Sequence, residues 1–166
     1  MLQKSNKTVY FMAHSAMIAA IYVVITMSFS AISFGPVQFR ISEALCILPY
    51  FTPAAIPGLF LGCFLSNFLY GAAVLDVVFG SAATLIGAAG SYALRRNKRL
   101  VCIPPILSNM IIVPWVLRYA YGSESMIVYL MVTVGIGEIL AVGVLGNLLM
   151  VTLDKYKMII FRKHFA

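Results

Sequence analysis

Hydrophobic positions run along this chain in long blocks, and short polar connections separate the blocks. A helix needs about 20 mostly apolar residues to cross the hydrocarbon core of a bilayer. The blocks lie at approximately 9–33, 41–52, 54–73, 75–94, 100–121 and 126–153. This pattern predicts an all-α membrane protein, folded as a compact bundle of six transmembrane helices.

The second block is too short to cross a bilayer as a straight helix. Pro49, Pro53 and Pro57 also interrupt backbone hydrogen bonding around it. Irregular backbone is tolerated at membrane depth where it is buried in protein or lines a cavity. We therefore expect a short or irregular second helix beside a binding region that begins after Phe34.

Composition agrees with a membrane location. The 166 residues are 62% hydrophobic and 10% charged, with a mean hydropathy of +0.98, which lies outside the range of soluble domains. We expect one integral-membrane domain over residues 1–166, with a basic cytoplasmic tail at about 154–166. The first block is too long for the apolar part of a signal peptide, so we interpret it as a retained helix.

The basic residues indicate how the chain is oriented in the cell membrane. Ten of the 12 lie before the first block, between the fourth and fifth blocks, or after the last one, and Arg40 and Arg118 lie at the opposite ends. The positive-inside rule then predicts that both termini are cytoplasmic. Because the basic residues are confined to the ends of apolar blocks, the net charge of +7 does not indicate binding to nucleic acid.

A few polar residues interrupt the apolar blocks, where charged groups are costly and are commonly paired or functional. Arg40 and Glu43 are either an ion pair at a helix start or part of a ligand site. Glu138 lies near the middle of the last block, where it either binds a ligand or is a hydrogen-bonded core residue. Further candidates are the amides Asn67 and Asn109, which also suit helix–helix hydrogen bonds, and, at outer helix ends, Asp76, Tyr70, Trp115 and Arg118. Tyr70 and Trp115 could equally belong to the aromatic belt at the membrane interface. Arg118 could equally be a side chain that extends its charge to the interface.

The sequence lacks the features of a membrane enzyme. It contains no phosphate-binding loop, zinc-protease motif or serine-hydrolase motif, and its three cysteines form no CxxC pair. We therefore predict no catalytic residue, metal site or cofactor. The residues favour a transport subunit that captures a substrate from outside, and the alternative is an intramembrane enzyme with Glu43 and Glu138 as an acid and base pair.

Small residues recur at intervals of four, which lets helix backbones approach closely in lipid. The pairs are Ala16 with Ala20 and Gly58 with Gly62, and the fourth block carries Ala83, Gly87 and Ser91. We expect the Gly58 pair to pack within the bundle. For Ala16 and Ala20, packing within the bundle and contact with another protein both remain open.

Three stretches resemble the QueT family, the queuosine-precursor substrate-binding (S) components of energy-coupling factor transporters. They are VQFRISEALCILPYFTPAAIPGLFLGCFLSN, then VLDVVFGSAATLIGA, and late in the chain GIGEILAV. The resemblance covers nearly the whole chain. It implies a six-helix bundle that binds a 7-deazaguanine (the nitrile, aminomethyl or queuine form) from outside, and as partners a transmembrane coupling protein and two cytoplasmic ATPases.

The resemblance also suggests roles for individual residues. In S components generally an AxxxA motif on the first helix contacts the coupling protein, and Ala16 and Ala20 match it. A carboxylate, Glu43 or Glu138, would accept hydrogen bonds from N1–H and the 2-amino group of the ligand. The ring platform would be Phe39, Tyr70 or Trp115, and the donor to O6 would be Asn109, Asn67 or Arg40. An S component for another vitamin-like molecule is the alternative within transport.

Overall fold

The computed structural model describes the backbone of residues 2–33 and 39–160. Within these ranges the chain is helical and contains no strand, which confirms the predicted all-α class. Residues 161–166 of the predicted basic tail lie outside the described part. The α-helices are α1 Leu2–Ser28, α2 Ser30–Ser33, α3 Ala55–Tyr70, α4 Ser81–Ala93, α5 Ile103–Ala120, α6 Ile127–Glu138 and α7 Asn147–Ile160.

Shorter helical elements of other types complete the chain. The second block forms a 3₁₀ helix at Ile41–Tyr50, and a 3₁₀ turn at Lys98–Leu100 precedes α5. Two π-helical segments, Asp76–Gly80 and Ile139–Gly146, lead directly into α4 and α7. Because the second segment also continues α6, residues 127–160 form one continuous helical rod.

Within residues 2–33 and 39–160, three helical stretches are long and apolar enough to cross a membrane. They are Lys7–Ser28, Lys98–Ala120 and Ile127–Lys157, and the shorter apolar helices are Ile41–Tyr50 and Ala55–Tyr70. A 3₁₀ helix rises about 2 Å per residue, so the ten residues of Ile41–Tyr50 extend over roughly 20 Å and fall short of a bilayer core of about 30 Å. The expectation of a short second helix is confirmed.

The 3₁₀ helix Ile41–Tyr50 is a central element of the bundle. Residues 42–49 are all buried, and α1, α3 and α4 pack against it together with the segment Ile139–Gly146. A Cβ atom at Gly146 would lie 3.0 Å from Cγ2 of Ile47, so that helical rod approaches closely. This central position brings the polar side chains near Arg40 into the interior.

Glycines set the contact between α1 and α3. A Cβ atom at Gly62 would lie 2.7 Å from Cβ of Tyr22, and one at Gly58 would lie 2.8 Å from the carbonyl oxygen of Ser15. The predicted packing of this pair within the bundle is confirmed. Ala16 and Ala20 lie on the opposite, exposed face of α1.

Candidate functional site

Six of the polar residues predicted from the sequence lie inside the bundle. Each is at most 5% exposed: Arg40, Glu43, Asn67, Asp76, Asn109 and Glu138. They come from separate parts of the chain, and the fold gathers them around the 3₁₀ helix. A charged group in an apolar interior is stable only with compensating partners, so their contacts define the site.

Arg40 and Asp76 form a buried ion pair at one side of this cluster. The distance from Arg40 Nη2 to Asp76 Oδ2 is 3.5 Å, and Tyr121 donates its hydroxyl hydrogen to the same carboxylate oxygen at 3.0 Å. Asn67 Nδ2 donates to the backbone oxygen of Asp76 at 3.2 Å.

Both carboxylate oxygens of Glu43 accept hydrogen bonds from other side chains. Oε1 accepts from the Tyr22 hydroxyl and, at 3.5 Å, from Thr84. Oε2 accepts from the Cys46 thiol at 2.9 Å. Glu43 therefore receives hydrogen bonds from the protein on both oxygens. The ion-pair partner of Arg40 is Asp76, which lies 36 positions further along the chain.

The partners of Glu43 were not predicted from the sequence. Tyr22 and Thr26 are separated by four residues and share the buried face of α1 with Ser15. Thr26 donates to the Ser42 hydroxyl at 2.7 Å. Polar residues at helical spacing in the first block were the available signal for Tyr22 and Thr26.

Glu138 and Asn109 form the other side of the cluster. Asn109 Nδ2 donates to Glu138 Oε1 at 2.9 Å. The segment Ile139–Gly146, which directly follows Glu138, packs against the 3₁₀ helix that contains Glu43. The fold thus unites Glu138 with the FRISE stretch, about a hundred residues earlier in the sequence.

Three buried oxygen atoms accept no hydrogen bond from the described part of the chain. They are Asp76 Oδ1, Asn67 Oδ1 and Glu138 Oε2. More than about 90% of buried polar atoms in proteins have a partner, and an unsatisfied one costs about 1–3 kcal/mol. Three such acceptors in one cluster are the arrangement expected of a site that receives hydrogen-bond donors from a ligand.

The backbone is irregular beside two of these acceptors. Asp76 begins the first π-helical segment, and Glu138 immediately precedes the second. Such segments are rare and frequently lie at functional sites. This local geometry strengthens the case for the polar cluster as the site.

The remaining predicted residues lie outside the cluster. Tyr70 and Trp115 are 48% and 46% exposed, and Arg118 is exposed and donates to the Ser125 backbone oxygen at 3.4 Å. Phe39, which directly precedes Arg40, is partly buried. The exposed aromatic residues Tyr70 and Trp115 therefore differ from the six polar residues, which are buried.

Trp115 instead lines an apolar groove of about 420 Å³. Its ring stacks on that of Tyr119 with centroids 6.2 Å apart, and the other lining residues are Leu75, Phe79, Ile111, Ile112 and Val116. None of the six buried polar residues lines it. A groove with so few hydrogen-bonding groups cannot orient a polar ring, so the polar cluster is the better candidate site.

Comparison with known proteins gives one family and one curated relative. The model of the QueT transporter family matches residues 12–155. The queuosine precursor transporter QueT of Lactococcus lactis subsp. cremoris (strain MG1363) is 44% identical over 85 residues, which cover 50% of this chain and 49% of the relative. The matched region thus spans about half the length of that protein. No solved structure matches the chain.

Proposed function

This chain belongs to the QueT transporter family, and we propose that it is the substrate-capturing subunit of an energy-coupling factor transporter. Its substrate is a queuosine precursor of the 7-deazaguanine class, taken up from outside the cell. The name of the Lactococcus lactis relative, a queuosine precursor transporter, supports this substrate class. ATP hydrolysis takes place on separate partner chains.

The observation that carries the proposal is the set of buried acceptors without donors. A 7-deazaguanine presents N1–H and a 2-amino group side by side, and one carboxylate can accept from both. Glu138 suits this role because Oε2 is open and Oε1 accepts one hydrogen bond from Asn109. Glu43 suits it less, since both of its oxygens already accept from the protein.

The rest of the ring has candidate partners around Glu138. The Asn109 amide and the Arg40 guanidinium are buried donors in the same cluster, and either suits O6. Phe39 is the best located of the three proposed ring platforms, because it is partly buried next to Arg40, whereas Tyr70 and Trp115 are exposed. In this arrangement the 3₁₀ helix and the helical rod 127–160 hold the ring between them.

We propose six membrane crossings with both termini in the cytoplasm. The six apolar blocks each contain helix, and the irregular second element is surrounded by the others, as required at membrane depth. Lys98 and Asp154 form an ion pair at 2.5 Å. This contact joins the basic connection before α5 to the C-terminal helix, which supports their location on one side of the membrane.

The first direct test of the function is ligand binding by the purified chain in detergent. Titration calorimetry with 7-cyano- and 7-aminomethyl-7-deazaguanine is expected to give saturable binding at one site. The matched control is 7-deazaadenine, which reverses the donor at N1 and should bind at least about tenfold more weakly. Absence of binding by both deazaguanines would refute the substrate assignment, and chemical change of the bound ligand would favour the enzyme alternative.

Ala16 and Ala20 are proposed as the contact with the coupling protein. Both are exposed on the face of α1 that points away from α3, so small side chains there serve no packing within the described bundle. Small residues at this spacing allow another helix to approach closely. The exposed Met12, Met17 and Val24 flank them on α1 and extend the apolar contact.

Replacing Ala16 with tryptophan is expected to weaken assembly with the coupling protein by about tenfold or more, because the new side chain separates the helices. Affinity of the isolated chain for a deazaguanine should stay within about twofold, since Ala16 is exposed whereas the six polar residues of the candidate site are buried. Co-purification and calorimetry measure the two effects. Ala93→Trp, at an exposed alanine at the end of α4, is the control for the effect of adding a large side chain elsewhere on the surface. If Ala16→Trp abolishes ligand binding but leaves assembly intact, the proposed role of the Ala16 and Ala20 face is refuted.

A further inference from the structure

Two of the three open acceptors, on Asp76 and Asn67, have no part in the contact between Glu138 and Asn109. Both side chains are fully buried at 0% exposure. Asp76 Oδ1 and Asn67 Oδ1 accept no hydrogen bond from the described residues. Their other polar atoms are engaged, since Asp76 Oδ2 faces Arg40 and Tyr121 and Asn67 Nδ2 donates to the Asp76 backbone.

Gly80 shows that these two side chains lie together. A Cβ atom at position 80 would lie 2.6 Å from Asp76 Oδ1 and 3.2 Å from Asn67 Nδ2. The carboxylate of Asp76 and the amide of Asn67 therefore lie beside the same glycine, the last residue of the π-helical segment before α4. The two side chains offer one open acceptor oxygen each, which a ligand group with two hydrogens to donate can satisfy.

The charge of the cluster indicates the character of that group. Among the described residues the buried charged side chains are one cation, Arg40, and three carboxyl residues, Glu43, Asp76 and Glu138. Arg40 Nη2 lies 3.5 Å from Oδ2 of Asp76. Buried carboxyl groups thus outnumber buried basic side chains by two in the described part of the chain, and a ligand group that donates charged hydrogen bonds suits such a site.

We infer that the open acceptors on Asp76 and Asn67 bind an ammonium group on the substrate, so that the chain selects a 7-deazaguanine with a cationic aminomethyl substituent over the neutral nitrile. The inference rests on the proposed function, because it takes the ring to be held at Glu138. An ammonium donates two hydrogens to Asp76 Oδ1 and Asn67 Oδ1 and reduces the carboxyl excess. A nitrile has no hydrogen to donate, and it would leave both oxygens buried without a partner.

The test compares three ligands on the purified chain by titration calorimetry: the 7-aminomethyl, 7-cyano and 7-methyl forms of 7-deazaguanine. The aminomethyl form is expected to bind at least about tenfold more tightly than either neutral form. Equal affinity for the aminomethyl and nitrile forms, or tighter binding of the nitrile, would overturn the inference and leave the proposed function intact. Failure of all three ligands to bind would overturn both.

Matched amide variants locate the selectivity. Asn67→Leu removes one proposed acceptor of the ammonium, and Asn109→Leu removes the amide beside Glu138. The ratio of nitrile to aminomethyl dissociation constants should fall severalfold in the first variant and remain unchanged in the second, although both bind more weakly. A ratio that falls equally in both variants would overturn the assignment to Asp76 and Asn67. If Asn67→Leu does not fold, the ligand preference of the unaltered chain still decides the inference.

Discussion

Replacing Asp76 with leucine is expected to lower the free energy of unfolding by about 3–5 kcal/mol, because the change leaves the Arg40 guanidinium buried beside an apolar side chain. Arg40 and Asp76 are both at most 5% exposed, so water cannot replace the lost carboxylate. The Tyr121 hydroxyl loses its acceptor as well. Denaturant unfolding of the ligand-free chain in detergent measures the loss.

Two further variants test whether the loss of stability comes from leaving the buried Arg40 charge without a partner. The double variant with leucine at positions 40 and 76 removes both charges and should recover part of the stability, since a buried pair is often replaceable by apolar residues. Asp154→Leu is the control at a solvent-exposed pair, because the Lys98 and Asp154 side chains are 50% and 27% exposed. It should cost less than about 1 kcal/mol. If Asp76→Leu costs no more than Asp154→Leu, the buried pair does not stabilise the fold.

Much of the fold could be predicted from the periodicity of apolar blocks, because a chain in lipid must satisfy its backbone hydrogen bonds within helices. The short second element was recognisable from its length and from Pro49, Pro53 and Pro57. The π-helical segments were not, because their 5 and 8 residues cover only about one to two turns of an i→i+5 helix, too few to show a different apolar period. Their location beside Asp76 and Glu138 became visible only in three dimensions.

The members of the candidate site could be named from the sequence, but their pairing could not. A charged residue in an apolar block is conspicuous in a sequence, which is why Arg40, Asp76 and Glu138 were selected. Their partners are set by tertiary contacts, such as that between Arg40 and Asp76, 36 residues apart. Tyr22 was overlooked because tyrosine is common in membrane helices, and only its complete burial beside Glu43 distinguishes it.

The two carboxylates therefore differ in a way that the sequence left open. Glu43 accepts hydrogen bonds on both oxygens from Tyr22, Thr84 and Cys46, so it suits a role in holding the 3₁₀ helix in position. Glu138 has one oxygen engaged with Asn109 and one without a donor from the described residues. A ligand edge with two adjacent donors could give Glu138 Oε2 the hydrogen bond that it lacks. At Glu43 the same ligand edge would first have to displace Tyr22, Thr84 or Cys46.

Changing Glu138 to glutamine is expected to weaken binding of a 7-deazaguanine by roughly tenfold to a hundredfold, because a charge-assisted hydrogen bond contributes about 1.5–3 kcal/mol. The amide keeps one acceptor oxygen and directs an NH₂ group against a ligand donor. A ligand that lacks the 2-amino group should bind the unaltered chain more weakly, yet lose proportionally less with the glutamine variant, since that contact is already broken. Titration calorimetry of both ligands on the unaltered chain and on the Glu138→Gln variant completes the double cycle. Glu43→Gln is the matched control: in this variant the losses of affinity from the protein change and from the ligand change are expected to add. Additive losses at Glu138 would instead show that it does not bind this edge of the ring.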